Sequence, residues 1–414
     1  QIFSMKNKTY FLVIGLLFIS KNVFAQMING CAFLQQNRIE VGIANNGSYG
    51  TPEDAPTGYH PNNNPLFVST FNPSSGTFVQ RPNALGFVVD YDTNGWAVGT
   101  PPYFGDYFLP GTPQEGWAVE VDGIRSNAYS SSYQTNLSTG FEGTLNGVNQ
   151  SISTSGGITN SVWQGSMGNL GIQQTTTLKQ NKLYLIGHVK FYNNGPTPLN
   201  NVYYMRTVDP DNDVSVSGNF NTKNVITHQL PNAGNKTLVS ATAIVDTLAY
   251  LGLGTIDCRS KVFIVNNFSL FPPSIPDSLA DFYNGHSDLL YNGMLQSDVG
   301  IGIVYQLGNI LPGDSAELYY TYILNENSLD EALDEIKAKV LFNGSLIQSG
   351  DTIYACANSV VPLAMNNSLL GTTYTWSSTA PLSNTTGNST NVSVGTTPVT
   401  VNIISSGICV DTTS

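Results

Sequence analysis

Residues 183–208 read LYLIGHVKFYNNGPTPLNNVYYMRTV. Two runs rich in β-branched and aromatic residues flank Asn193-Asn194-Gly195-Pro196, a cluster that ends one strand and turns the chain. The same texture recurs in RIEVGIA (38–44), LGFVVDY (85–91), GWAVEVDGI (116–124), SKVFIVNNF (260–268), IGIVYQLG (301–308) and AELYYTYIL (316–324). Turn residues such as Asp122-Gly123 and Pro312-Gly313-Asp314 bound these runs. Many short strands at this spacing predict an all-β chain, and so many in one unit predict a large antiparallel, supersandwich-like β-sandwich.

One short C-terminal helix closes the expected large domain. Ser328-Leu329-Asp330-Glu331 spells a capping box, and Leu329, Leu333, Ile336 and Val340 mark one apolar face over 328–339. A second, weaker helical piece is expected at Asp277–Tyr283. Beyond Val340 the chain becomes richer in Thr, Ser and Asn. Cys356, Trp376 and Cys409 follow one another in the order of an immunoglobulin-like sandwich. The expected division is therefore 26–345 for the large sandwich and 346–414 for a small Ig- or PKD-like module, one unit of a truncated array.

Met5 opens MKNKTYFLVIGLLFISKNVFAQ, a basic start, an apolar run and a Val-Phe-Ala site before Gln26. This predicts a secretory signal peptide at 5–25, an exported product and no transmembrane segment, since the apolar run is too short to span a bilayer. Ile28-Asn29-Gly30-Cys31 loosely imitates a lipoprotein box, but Lys21 and Asn22 separate it from the apolar run. Of 414 residues 41% are hydrophobic, enough for a core, and only 11% are charged. Neutral hydrogen-bonding groups solvate such a surface, as in extracellular β proteins. A net charge of −12 excludes nucleic acid, which requires clustered Lys and Arg. The four cysteines, even in number and exported, predict disulfides within each unit: Cys31 with Cys258, and Cys356 with Cys409.

Several blocks carry a family likeness. RIEVGIANNGSYGT with GYH (58–60), LGFVVDYDTNGW, GTPPYFGDYFLPGTPQEGWAVEVDG, NVYYMRTVDPDNDV and LGLGTIDCRSKVF resemble the N-terminal ectodomain of large secreted surface proteins of Bacteroidetes. Those proteins continue into arrays of PKD-like or Ig-like modules and often end in a gliding-motility-associated or type IX secretion sorting domain. The likeness spans roughly 31–325. It implies a modular cell-surface protein with further modules, and no particular reaction.

Two aspartate runs are candidate calcium loops. Asp209, Asp211 and Asp213 in RTVDPDND alternate like positions 1, 3 and 5 of a calcium loop, although Val214 and Phe220 break the EF-hand pattern. The competing reading is a polar turn in which Arg206 neutralises a carboxylate and the rest serve backbone donors. Asp90, Asp92 and Asn94, with Gly95, match the pattern more closely, with Asp106, Glu115 or Glu120 to complete it; the competing reading is an Asn94-Gly95 hairpin.

Catalytic signals are thin. His60, His188, His228 and His286 show no metal spacing, and Gly285-His286-Ser287-Asp288 lacks a nucleophile elbow. Glu115, Glu120 and Asp122 offer candidates for the carboxylate pair of glycoside chemistry; the favoured reading makes them solvated positions on a strand. Trp96, Trp117, Trp163 and the tyrosines of PPYFGDYF are possible sugar platforms, or core residues. The expected function is therefore non-enzymatic: adhesion, glycan binding or surface assembly. The alternative is a glycan-active hydrolase, lyase or epimerase on a large sandwich.

Overall fold

The computed structural model describes residues 25–407 except 52, 62–68, 73–76, 81–82, 93–95, 97–103, 110–114, 130–144, 230–235, 266–276, 288–289, 338, 344, 348–349 and 367–371. The signal-peptide reading at 5–25 falls, apart from Ala25, outside them. Among the described residues no helix is long and apolar enough to cross a membrane.

The fold is all-β, with every strand pair antiparallel. A four-stranded sheet runs β1-β2-β3-β6 (Ala25–Ile28, Cys31–Gln35, Ile39–Ile43, Phe87–Val89). The hairpin β4-β5 (Ser69–Asn72, Thr77–Gln80) lies between β3 and β6 in sequence. Six strands form the next sheet, β18-β17-β20-β13-β7-β8. In chain order these are β7 Glu115–Val121, β8 Ile124–Tyr129, β13 Leu199–Val208, β17 Ser260–Val265, β18 Leu290–Tyr291 and β20 Gly300–Ile310.

The largest sheet has nine strands. It comprises β9 Asn146–Ser155, β10 Ile158–Met167, β11 Leu170–Lys179, β12 Tyr184–Asn193, β14 Thr222–His228, β15 Thr237–Ala243, β16 Tyr250–Thr255, β19 Met294–Ser297 and β21 Ser315–Ile323. Their order is β19-β14-β15-β16-β21-β12-β11-β10-β9. In β11 burial alternates strictly, so Leu170, Ile172, Gln174, Thr176 and Leu178 face inward. One core joins these inward faces to those of the six- and four-stranded sheets, from Val41 and Phe87 through Trp117, Tyr204 and Ile303 to Leu251 and Tyr322.

The stretch 183–208 becomes β12 and β13, which lie in different sheets. Asn193-Asn194-Gly195-Pro196 is thus a corner between layers. Asn193 fixes it, with its Nδ2 donating to Ile310 O at 2.9 Å and to Thr197 O at 2.7 Å. The chain also changes sheet between β16 and β17, between β19 and β20, and between β20 and β21.

Helices sit on the outer faces. The one-turn helix α1 (Val214–Ser217) follows β13. Helix α2 (Leu279–Asn284) packs Leu279 and Phe282 on Met205, Phe263 and Val304 of the six-stranded sheet. It carries a formed capping box between Ser278 and Asp281, and Gly285 ends it at φ 72°. Helix α3 covers Leu329–Glu335, shorter than the expected 328–339, and is entered through a 3₁₀ turn at Glu326–Ser328. The Ser328 side chain does not cap it, and Glu331 pairs instead with Lys182. Ala332, Leu333 and Ile336 pack on Tyr184, Leu238 and Ile323 of the nine-stranded sheet.

The smaller unit holds β23-β22-β24-β26 (β22 Val340–Phe342, β23 Ser345–Ile347, β24 Val360–Met365, β26 Ser389–Ser393) and β25-β27 (Thr372–Ser378, Val401–Gly407). Val340–Phe342 of β22 pair with β24 in this sheet. Trp376 is the centre of its core, packed with Val361, Leu363 and Val392.

The disulfide expectation is corrected. Cys31 and Cys356 are free thiols, so neither expected pair forms. Cys31 opens β2 inside a cluster with Phe33, Tyr59, Leu85 and Val88, and this burial pushes its thiol up to about 12. Cys258, which is disulfide-bonded, lies in the turn joining the two large sheets. Cys356 is exposed, and Cys409 lies outside the described residues.

Candidate metal centre

Strand β13 ends at Val208, and the chain leaves it as Asp209-Pro210-Asp211-Asn212-Asp213 before α1. This exit is buried rather than solvated: Asp209 is 6% exposed, Asp211 2% and Asn212 0%. The backbone is pinned by Asp211 N donating to Tyr107 O at 2.8 Å. Asn212 Nδ2 donates to Ala241 O and Ala249 O at 2.8 and 3.1 Å, linking the exit to β15 and the loop before β16.

Asp298, half-buried in the connection between β19 and β20, completes a cluster. One carboxylate oxygen from each of Asp209, Asp211 and Asp298 lies within 4.8 Å of the other two. Asp209 Oδ1, Asp211 Oδ1 and Asn212 Oδ1 are buried with no hydrogen-bond partner among the described residues. Burial and the neighbouring Asp298 charge raise the Asp209 carboxyl well above the usual carboxylate range. Asp211 is raised likewise, by burial first and then by Asp209 and Asp298. Buried acceptors left unmatched are costly, and a donor or a cation is what such a site lacks.

The structure therefore brings together two of the three aspartates that the sequence singles out, Asp209 and Asp211, and adds Asp298. Asp213 points elsewhere, its Oδ1 accepting from Ser217 Oγ at 3.0 Å and its Oδ2 from Asp246 N at 3.0 Å. Asp298, about ninety residues downstream, was invisible to local spacing. The competing reading, in which Arg206 neutralises one of these carboxylates, is not what the structure shows. Arg206 points into the core, with Nε donating to Glu115 Oε1 at 2.6 Å, Nη2 to Oε2 at 3.2 Å and Nη1 to Gln174 Oε1 at 3.0 Å. Its guanidinium lies 4.1 Å from the centre of the Tyr49 ring, and the carboxylate and tyrosines around it hold it charged.

The second aspartate run is only partly described, since Asn94 and Gly95 lie outside. Asp90 is buried and its Oδ2 accepts from Trp96 N at 3.3 Å, while Asp92 is exposed. The residues expected to complete it are engaged elsewhere. Asp106 accepts four backbone N–H groups, from Gly86, Phe87, Phe108 and Leu109. Glu115 clamps Arg206, and Glu120 Oε2 accepts the N–H of Leu279 at the start of α2.

Much of the expected glycan machinery is internal, although Asp122 is exposed and Tyr103 lies outside the described residues. Trp117 and Trp163 pack edge to face in the core at 5.2 Å, and Phe104, Tyr107 and Phe108 are buried. Trp96 stacks on His60 at 4.8 Å, and His60 Nδ1 lies 2.8 Å from the buried Glu40. His188 is a cross-strand residue, stacked on Tyr319 and 3.0 Å from Glu317. Asp122 braces a turn through Asn200 and Asn201. Gly285-His286 is the end of α2, and Asp288 lies outside the described residues.

No family model matches the chain, and no curated protein matches it. Among solved structures, a polysaccharide lyase is 15% identical over 84% of this chain and 47% of its own, with a TM-score of 0.30. The α-galactosidase of Lactobacillus brevis is 10% identical over 73% and 40%, TM-score 0.32. A TPR-domain-containing protein from Parabacteroides distasonis is 13% identical over 71% and 47%, TM-score 0.27. The chain spans less than half the length of each. Superpositions this loose transfer no residue and no activity.

Proposed function

We propose that the chain is a non-catalytic binding module of an exported bacterial surface protein, acting in adhesion or surface assembly with neutral glycans as its partner class. The observation that carries the reading is an open groove of about 610 Å³ at the β9 edge, lined by Gln36, Asn37, Thr154, Ser155, Gly157 and Gln180. Its lining carries no charged side chain: amide, hydroxyl and backbone groups stand beside the apolar Ala25 and Ile152, a mixture that exchanges hydrogen bonds with sugar hydroxyls and packs on sugar C–H faces without selecting a charge. The same character extends over the outer face of the sheet. There Gln164 donates to Gln173 at 2.9 Å and Thr177 donates to Asn160 at 2.6 Å. Of the residues that sequence offers for glycoside chemistry, Glu115, Glu120, Trp117 and Trp163 are buried, while Asp122 braces an exposed turn.

The test is a glycan array probed with the protein and with Thr154→Ala/Gln180→Ala and Ser155→Arg, alongside a reducing-end release assay on the glycans bound. Binding to neutral glycans, lost in the variants without release of products, is expected. Release of product would turn the reading to the enzymatic alternative. Binding that survives both variants would move the site away from this groove.

A further inference from the structure

We propose that Asp209, Asp211 and Asp298 bind one calcium ion that clamps the end of β13 to the β19–β20 crossover. The proposal goes beyond the binding-module reading and is independent of it. All available donors are oxygens, three of them carboxylates, which selects a hard cation over zinc or copper. A calcium ion held at about 2.3–2.6 Å from each oxygen bridges oxygens up to about 5 Å apart. The cluster, with its three oxygens mutually within 4.8 Å, falls inside that span. The second observation is the pair of orphaned oxygens, Oδ1 of Asp209 and of Asp211, on side chains more than nine-tenths buried.

The placement gives the ion a mechanical role. Asp209 follows β13 of the six-stranded sheet, while Asp298 sits where the chain passes from β19 of the nine-stranded sheet into β20. Asn212, next to Asp211, already holds the backbone of the nine-stranded sheet at Ala241. One ion shared by these segments joins the two layers at a corner where the chain itself changes layer.

Thermal or urea unfolding of the whole protein in chelator, in calcium and in magnesium at fixed ionic strength tests this. Calcium alone is the probe. At a hundredfold excess over the dissociation constant, the unfolding equilibrium constant should fall about 100-fold. Asp298→Asn and Asp211→Asn should weaken binding at least tenfold, and in chelator both should match or exceed the wild type in stability, because they relieve repulsion. Asp213→Asn should keep the calcium response. A wild-type protein that does not respond to calcium overturns the proposal, as does a response retained in both Asp298→Asn and Asp211→Asn. A response lost only in Asp213→Asn would return the site to the contiguous loop.

Discussion

Arg206 and Glu115 form a buried ion pair in the core of the large sandwich. Both are fully buried, and Tyr49 N and Tyr322 OH complete the carboxylate at 2.6 and 3.0 Å. Removing one partner strands the other, so Arg206→Met should cost about 3–5 kcal/mol. Arg206→Met/Glu115→Gln should recover part of that loss, which urea denaturation of the single and double variants would measure. Asp106 offers a second test at this scale. Burial, opposed by four N–H donors, pushes its carboxyl up to about 7. The folded chain therefore retains a proton that the unfolded chain releases near pH 4, and the contribution to stability is full below that pH and is lost as pH rises towards 7. The stability of the wild type relative to Asp106→Asn should fall across pH 4–7. A flat difference there would show that the carboxyl ionises normally. Neither residue's role is readable from sequence: Glu115 looked like a catalytic or calcium candidate because nothing local says that Arg206, across the β7–β13 pair, points at it.

Elements were more legible than their partners. Alternating burial in β11 and the aromatic runs of β12, β13, β20 and β21 follow directly from period-two patterning. The sheet each strand joins does not follow, since Asn193-Asn194-Gly195-Pro196 has the same turn chemistry whether it closes a hairpin or a corner. Helix signals misled in an instructive way. Ser328 and Glu331 have capping-box spacing without the bonds, because a 3₁₀ turn occupies the entrance and Lys182 takes the glutamate. The less emphatic Ser278–Asp281 pair forms the box. A glycine supplies the prediction at this scale. Gly187 in β12 pairs across the ladder with Tyr320 in β21, and a methyl there would come within 2.1 Å of the tyrosine ring. Tyr320 is 1% exposed and cannot swing out. Gly187→Ala should therefore destabilise by roughly 1–3 kcal/mol, seen as a lower urea midpoint with an unchanged slope.

At the scale of the whole molecule, the all-β architecture was legible from the number and spacing of strands. The expected seam at 345/346 falls inside β23. Val340 has a helical spacing to Ile336, yet it pairs as a strand with Met365, while Lys339 exchanges hydrogen bonds with Asn366 at 2.6 and 2.9 Å. Limited tryptic digestion should accordingly cut first at Lys337 or Lys339, yielding a large fragment that ends just after α3. Early cleavage within β12 or β13 would contradict a single cooperative large unit. Run without reductant, the same digest identifies the partner of Cys258. The third member of the aspartate cluster escaped sequence reading, since Asp298 comes to Asp209 only because two strands far apart in sequence end at one corner.

Among the described residues Cys31 and Cys356 are free thiols, and together they give this protein a built-in clock. Cys356 is exposed, whereas Cys31 is 1% exposed behind Phe33 and Leu85. Because the thiolate is the reactive form, a protonated, enclosed Cys31 is silent to alkylating reagents while the first sheet stays closed. A mass spectrum taken over time would then show one adduct at once, marking zero, and a second whose appearance times the opening of the N-terminal sheet.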